Sequence, residues 1–271
     1  MKSIQELVSK APYEKIFSHV CPTCGEKIYH CVNSKLGIDF MTLCSCEIEK
    51  ENQERERELT QRLISKTYEQ RLSVSNISSK MLEMLKTPFR TNQNNINAYN
   101  LVSRYCDNFN RETSLGLFIS GSCGVGKTHL IIWCADMLLR KGEDVYFTNV
   151  NEMFNEIKKS YSAEASFDYE RFIKQVQILV LDDLGAEYMK EFDAKKLFEI
   201  VDTRNRHNLQ TLYTSNLNVD GLRKKYSDDT KGLNDIDADR IVSRILGYCE
   251  SATINDVDHR IASFVERKKN G

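Results

Sequence analysis

The sequence predicts an α/β protein: a P-loop parallel sheet flanked by helices, preceded by a small N-terminal domain and a helical linker. Three observations carry this. Residues Gly121-Ser-Cys-Gly-Val-Gly-Lys-Thr128 form a complete G-x-x-x-x-G-K-[ST] phosphate loop between an apolar run and a helical pattern. From Leu115 onward, short β-rich apolar runs alternate with helical periodicity, as in a parallel sheet covered on both faces. Five of the nine cysteines fall between Cys21 and Cys46, ahead of a strongly charged stretch, and that asymmetry marks a separate domain. The expected boundaries are 1–58 for the small domain, 59–96 for the linker and 97–271 for the nucleotide-binding domain.

The first element is metal-binding in character. Cys21-Pro-Thr-Cys24 has the spacing of a zinc knuckle, and Cys44-Ser-Cys46 follows after 19 intervening residues. Cys21, Cys24, Cys44 and Cys46 are the expected ligands of a structural Zn2+, with Cys31 or His30 as possible replacements for one of the second pair. A domain of this size has little core without a metal. Nine of the twelve residues from Glu47 to Glu58 are charged and only Ile48 is apolar, which predicts a solvated helix with no coiled-coil seam. Polar breaks at Ser73–Ser79 and Thr87–Asn97 set the linker apart from a helix over Asn97–Phe109.

The strands of the second domain are expected at Leu117–Ser120, Val145–Asn149, Ile178–Leu181, Thr211–Thr214 and Ser251–Ile254. A helix from Thr128 to Lys141 ends at Gly142, and Asp193 is a candidate N-cap for a helix through Asn205. Two further helices are expected at Asn155–Tyr161 and Tyr169–Lys174.

The phosphate loop needs the residues it has. Gly121, Gly124 and Gly126 let successive backbone N–H groups approach phosphate oxygens, and the loop feeds the positive end of a helix. Lys127 can reach the β and γ phosphates, and the Thr128 hydroxyl suits Mg2+. Ser122, Cys123, Val125 and His129 complete the stretch expected to line ATP. Ile178-Leu-Val-Leu-Asp-Asp183 reads as the Walker B strand, with Asp182 holding magnesium and Asp183 orienting the attacking water. Asn216, at the end of the next apolar strand, could bond the γ-phosphate or that water.

The order Gly121-Ser-Cys-Gly-Val-Gly-Lys-Thr-His-Leu, Leu181-Asp-Asp-Leu-Gly-Ala-Glu187, Ile200-Val-Asp-Thr-Arg204 and Thr214-Ser-Asn-Leu217 resembles the AAA+ ATPases of the DnaC/DnaI helicase-loader family, including phage-encoded relatives. The resemblance runs from about Asn97 to the C-terminus and implies an AAA+ fold, ATP hydrolysis and self-association. Ile241-Val-Ser-Arg-Ile-Leu246 is similar to the family's arginine-finger segment, which implies Arg244 as the finger, with Arg240 one turn earlier. Asp258-His-Arg260 is similar to the family's closing Asp-Tyr-Arg, with His259 in place of tyrosine, and implies Arg260 as a nucleotide-state sensor. The family's arginine-tyrosine pair appears as Arg204-Asn205. In helicase loaders the N-terminal domain grips the hexameric replicative helicase. The family's helical insertion falls at Met153–Gln177, where Lys158, Lys159, Tyr161, Arg171 and Lys174 could meet single-stranded DNA.

Composition limits the alternatives. With 38 basic and 39 acidic residues no global positive field exists, so DNA contact needs a local patch. No apolar run approaches the ~20 residues of a membrane span, and Met1-Lys-Ser-Ile-Gln-Glu lacks a signal-peptide core, so a cytoplasmic protein with no membrane partner is expected. In that reducing compartment cysteines bind metal or are buried, as Cys106, Cys134 and Cys249 are expected to be. The expected function is loading a replicative helicase onto single-stranded DNA. The rival readings are a transposition-associated ATPase of the IstB type, a phosphotransferase, and a nucleotide-gated adaptor with little hydrolysis.

Overall fold

The computed structural model describes residues 14–34, 37–161, 167–229 and 235–261, with backbone alone at 38, 56–66 and 235–237. The chain divides into two compact units, Met1–Ile64 and Ser65–Gly271.

The small unit is an antiparallel sheet of β1 (Glu14–Val20), β2 (Lys27–Asn33) and β3 (Ile38–Met41), in that order. The β1–β2 turn contains Cys21 and Cys24 and closes with Gly25 N–H donating to Cys21 O at 3.0 Å. Gly25 sits at φ 76, left-handed backbone that glycine adopts without a Cβ penalty. The buried cluster is Cys21, Ile28 and Cys44, with Cys46 packed on it. Helix α1 (Ser45–Val74) starts beside the second cysteine pair and continues past the predicted end at Glu58, so the boundary between the units falls within it.

In the large unit, α2 (Ser79–Met84) and α3 (Ile96–Asn108) precede β4 (Gly116–Gly121) and α4 (Lys127–Arg140). There follow β5 (Val145–Asn149), α5 (Val150–Ser160), α6 (Tyr169–Gln175), β6 (Ile178–Leu184) and α7 (Glu191–Arg206). β7 (Gln210–Ser215), α8 (Val219–Asp229), α9 (Asp235–Leu246) and β8 (Cys249–Ile254) complete it. The sheet order is β5-β6-β7-β4-β8 with every pairing parallel, and it contains all five predicted strands.

Alternation along the strands divides the core between the two faces. Leu117, Ile119, Ile178, Val180 and Leu212 join α3 and α4 residues in one cluster. Phe118, Leu179, Leu181 and Tyr213 join α5 to α9 in the other. Residues 65–96, expected as linker, are part of this packing: Tyr68, Leu72, Ile77, Met81, Leu82, Leu85 and Phe89 all lie on the α3–α4 cluster.

The predicted cap at Asp193 requires correction. α7 starts earlier, with Lys190 in the N-cap position, so Asp193 falls in the first turn. There it is buried and pairs with Lys158 Nζ at 2.9 Å. Ser78, Asn149 and Asp168 are side-chain caps, accepting from Met81 N–H at 3.3 Å, Glu152 N–H at 2.8 Å and Arg171 N–H at 2.9 Å.

Candidate functional site

The phosphate loop leaves β4 at Gly121 and enters α4 at Lys127. Gly124 and Gly126 take φ 75 and 98, and a Cβ on Gly121 would stand 2.4 Å from the Ile254 carbonyl oxygen. Glycine is therefore required at these positions by backbone conformation or close approach. Val125 is fully buried in the α4-side cluster, so its side chain anchors the loop from below. Cys123 is exposed. The His129 ring turns away to pack edge-on against Phe89, 5.7 Å between centroids.

Because β4, β7 and β6 are adjacent and parallel, their C-terminal ends deliver side chains to one place. Lys127 Nζ donates to Asn216 Oδ1 at 2.7 Å and to the Ser122 carbonyl at 2.8 Å. Thr128 Oγ1 donates towards both Asp182 carboxylate oxygens at 3.1 Å. Asn216 Nδ2 reaches Asp183 Oδ1 at 3.5 Å. Thus Lys127, Thr128, Asp182, Asp183 and Asn216, separated by up to 89 residues in sequence, form one connected cluster.

The electrostatics follow from burial. Burial lowers the Lys127 ammonium pKa, and Arg260 pushes the same way, against Asp183, Cys123 and Asp182, which raise it. Asp182 is pushed up chiefly by burial and also by the Asp183 charge, while Thr214 and Thr128 hydrogen bonds pull it down. A buried carboxylate beside a hydroxyl is a hard-oxygen donor pair of the kind that Mg2+ accepts.

Sequence reasoning passed over three features here. Thr214 donates to Asp182 and accepts the Asp183 N–H at 2.9 Å, so it holds both carboxylate residues from the neighbouring strand. Asp183 has φ 56, and the β6–β7 register shifts between Leu181 and Leu184. This bulge turns the second carboxylate out of the sheet; strained backbone of this kind gathers at functional sites. Glu187 is buried, accepting from Gly185 N–H at 2.9 Å and Tyr226 O–H at 2.7 Å. Thr214 and Glu187 both lie in the family-like stretches Thr214–Leu217 and Leu181–Glu187, which was their signal in the sequence; the bulge at Asp183 had none.

The arginines separate clearly. Arg244 on α9 pairs with Asp202 of α7, Nε to Oδ1 3.0 Å, and Arg240 lies 5.0 Å over the Phe198 ring. No contact of Arg244 with the phosphate loop occurs among the described residues. Arg204 is fully buried and donates to Ile173 O, Val176 O, Gln177 O, Gln210 O and Thr211 Oγ1 at 2.7–3.4 Å. Burial brings its pKa down to about 10. It ties α6, α7, β6 and β7 together from inside the fold.

The predicted DNA residues are mostly engaged. Lys158 pairs with Asp193, Lys159 with Glu156 at 2.7 Å, and Lys174 with Glu170 at 2.5 Å. Tyr161, Arg171 and Lys174 line an open hollow of about 750 Å3 with Glu170 and His207.

In the small unit the four sulfurs of Cys21, Cys24, Cys44 and Cys46 lie within 4.8 Å of one another. Tetrahedral thiolates around zinc stand about 3.8 Å apart, so the cluster fits that ion. The Cys24 and Thr23 backbone N–H groups hold the Cys21 thiol down at about 6. Cys31 is buried outside the cluster, and His30 pairs instead with Asp39 at 2.7 Å.

Comparison with known proteins agrees with this geometry. Residues 52–264 match the family described as IstB-like ATP binding protein. The chain belongs to that family. It is 29% identical over 133 residues to the replicative helicase loader DnaI of Bacillus subtilis (strain 168), covering 48% of this chain and 43% of that protein. A DnaI crystal structure superimposes with TM-score 0.57 at 28% identity, over 64% of this chain and 93% of that one. A DnaC helicase loader structure superimposes with TM-score 0.55 at 25% identity, over 66% and 100%. The chain spans about half the length of the curated loaders it matches. Among the described residues no helix is long and apolar enough to cross a membrane.

Proposed function

We propose that the protein is an ATP-dependent loader that holds a hexameric replicative helicase through its zinc-binding unit and delivers it to single-stranded DNA. The observation that carries the nucleotide chemistry is the Lys127–Asn216–Asp183 and Thr128–Asp182 cluster at the ends of adjacent strands. In this reading the phosphate loop wraps ATP, and Lys127 leaves Asn216 for the β and γ phosphates. Thr128 and Asp182 hold Mg2+, which neutralises phosphate charge. Asp183 orients water for attack, and Asn216 reports the γ-phosphate.

Arg244, exposed on α9 and held by Asp202, is offered to the nucleotide of a neighbouring subunit, which makes hydrolysis depend on self-association. Arg260 senses the phosphates within the chain. Cys21, Cys24, Cys44 and Cys46 bind structural zinc. The helicase-facing surface is supported by Ile16, Phe17 and Val20 of β1, which are 47–55% exposed on a solvated edge strand. Single-stranded DNA is met near Arg171 and Tyr161, and the protein works in the cytoplasm. The zinc unit favours this reading over a transposition ATPase.

Mixing the full chain with replicative helicase, ATP and single-stranded DNA, then measuring complex mass and phosphate release, tests this. A helicase complex with DNA-stimulated release is expected; Lys127→Ala abolishes nucleotide binding, Asp183→Ala spares it, and Arg244→Ala slows only the assembled form. Absence of a helicase complex with any nucleotide sinks the loader reading.

A further inference from the structure

The segment after β8 is fastened to the rest of the large unit by contacts that the nucleotide reading leaves unused. Asp256 Oδ2 accepts from Asn92 Nδ2 at 2.6 Å and from Asn95 Nδ2 at 3.1 Å. Asn255 N–H donates to Asn94 O at 3.2 Å alongside them. His259 Nε2 stands 3.4 Å from the same Asp256 oxygen.

The receiving turn is built in advance. Asn95 is 1% exposed, its Oδ1 accepts Asn92 N–H at 2.9 Å, and its amide also donates to Arg90 O at 3.0 Å. Asn92 Oδ1 accepts Asn94 N–H at 2.8 Å. Each asparagine therefore spends its acceptor on its own turn and turns its Nδ2 towards Asp256. Three asparagines in four residues look like an unstructured break in the sequence, and here Asn92 and Asn95 form a socket for one carboxylate while the Asn94 carbonyl holds the adjoining backbone.

Beyond the socket the segment lies against the phosphate loop. His259 N–H donates to the Gly124 carbonyl at 3.1 Å, and a Cβ on Gly124 would stand 2.0 Å from Asp258 Oδ1. Asp258 Oδ1 in turn accepts Arg260 N–H at 2.8 Å and Ile261 N–H at 3.2 Å, which sets the backbone from which Arg260 projects. The Arg260 charge is felt at Lys127, so the segment brings this guanidinium into the neighbourhood of the phosphate loop.

We propose that Asn92, Asn95 and Asp256 are positioning residues for Arg260: their staple holds residues 255–260 on the phosphate loop so that the guanidinium meets the terminal phosphate of a nucleoside triphosphate. The inference rests on the nucleotide-site reading and on Arg260 as its phosphate contact. A guanidinium fixed in place before the ligand arrives loses little entropy on binding, whereas one on a loose tail gives up most of its interaction to ordering. A diphosphate lacks the oxygen cluster that Arg260 meets, so the staple sets preference for tri- over diphosphate rather than overall affinity.

Fluorescence titration of the full chain with a non-hydrolysable ATP analogue and with ADP tests it. Asn92 is exposed, so Asn92→Asp leaves the core intact while setting a second carboxylate against Asp256. The expected result is triphosphate affinity lower by about tenfold, with ADP affinity changed by less than about twofold. The exchange Asn92→Asp with Asp256→Asn restores one amide and one carboxylate and is expected to recover triphosphate affinity. In an Arg260→Ala background Asn92→Asp is expected to have no further effect. If Arg260→Ala binds both nucleotides as wild type does, the reading of Arg260 falls. If Arg260→Ala weakens the triphosphate but Asn92→Asp does not, or weakens both nucleotides equally, or the exchange fails to recover binding, the staple is overturned.

Discussion

The two units of this chain solve the problem of burial in opposite ways. The large unit has a sheet covered on both faces, and alternate residues of its strands feed two extensive apolar clusters. Among its described residues the small unit has three strands and one buried aliphatic residue, Ile28, packed with three cysteines. Apolar burial of that extent cannot offset the ordering of some fifty residues, at about 1–2 kcal/mol for each backbone. With zinc on the four cysteines, as proposed, fold stability is apolar in one unit and ligand-derived in the other.

The largest expected effect tests that contrast directly. Chelation, or Cys21→Ser, should remove stabilisation on the order of 10 kcal/mol from the small unit and unfold it. Nucleotide binding by the large unit should survive. Zinc content, with proteolysis of the β1–β3 region, measures the outcome; wild-type protein without stoichiometric zinc, or a chelated sheet that stays protected, would place the two units on the same footing.

Within the large unit one polar residue matters as much as a core side chain. Arg204 donates to four carbonyls and a hydroxyl, which lose this donor together if the guanidinium is removed. Arg204→Ala is expected to cost about 3–5 kcal/mol in denaturant unfolding, through unsatisfied buried acceptors and a cavity. Arg204→Lys keeps the charge but supplies only three donors, and it should recover part of the loss. A loss under about 1 kcal/mol for Arg204→Ala would show the acceptors to be satisfied otherwise.

Arg204 also marks how far the sequence could be read. All five strands of the large sheet were legible because runs such as Ile178-Leu-Val-Leu181 are apolar on both faces, which only a doubly covered strand permits. The phosphate loop and the carboxylate pair were legible because their chemistry restricts residue choice. Arg204 resembled a motif residue in the sequence, and only the packing around it reveals a structural tie. The Asp183 bulge was invisible because nothing in Asp-Asp-Leu-Gly distinguishes a strand that ends from one that kinks. Residues 65–96 pack on the large unit for a reason the sequence half showed: Tyr68, Leu72, Ile77, Met81, Leu85 and Phe89 recur every four or five positions, but the polar breaks between them resemble the ends of elements.

The site itself works against the fold that carries it. Asp182 is buried and its pKa is raised, so the folded chain without nucleotide takes up a proton more readily than the unfolded one. The sign follows: a raised carboxylate pKa makes stability fall as pH rises from the unfolded value through the folded one, and above the folded value the cost is present in full. Asp182→Asn should therefore raise the nucleotide-free Tm of the large unit by about 2–4 °C, the response to a gain of ~1 kcal/mol, while losing Mg-ATP binding. A lower Tm in calorimetry would mean that Thr128 and Thr214 already compensate the charge.

The smallest expected effect on stability returns to the small unit. Phe17 is 55% exposed on β1, and every residue of that strand is exposed, so Phe17→Ser removes little packing. Its cost in thermal unfolding should stay within about 0.5 kcal/mol, as for surface substitutions in general. An exposed aromatic beside Ile16 is an unfavourable surface to keep wet, and in the loader reading the helicase covers it. Phe17→Ser should then weaken helicase binding by about tenfold or more in pull-down or mass measurements, the scale of an aromatic anchor at an interface, with zinc content unchanged. If helicase binding is unaffected while Tm falls by several degrees, Phe17 is packing rather than contact surface, and the small unit relies on apolar burial more than its cysteine core implies.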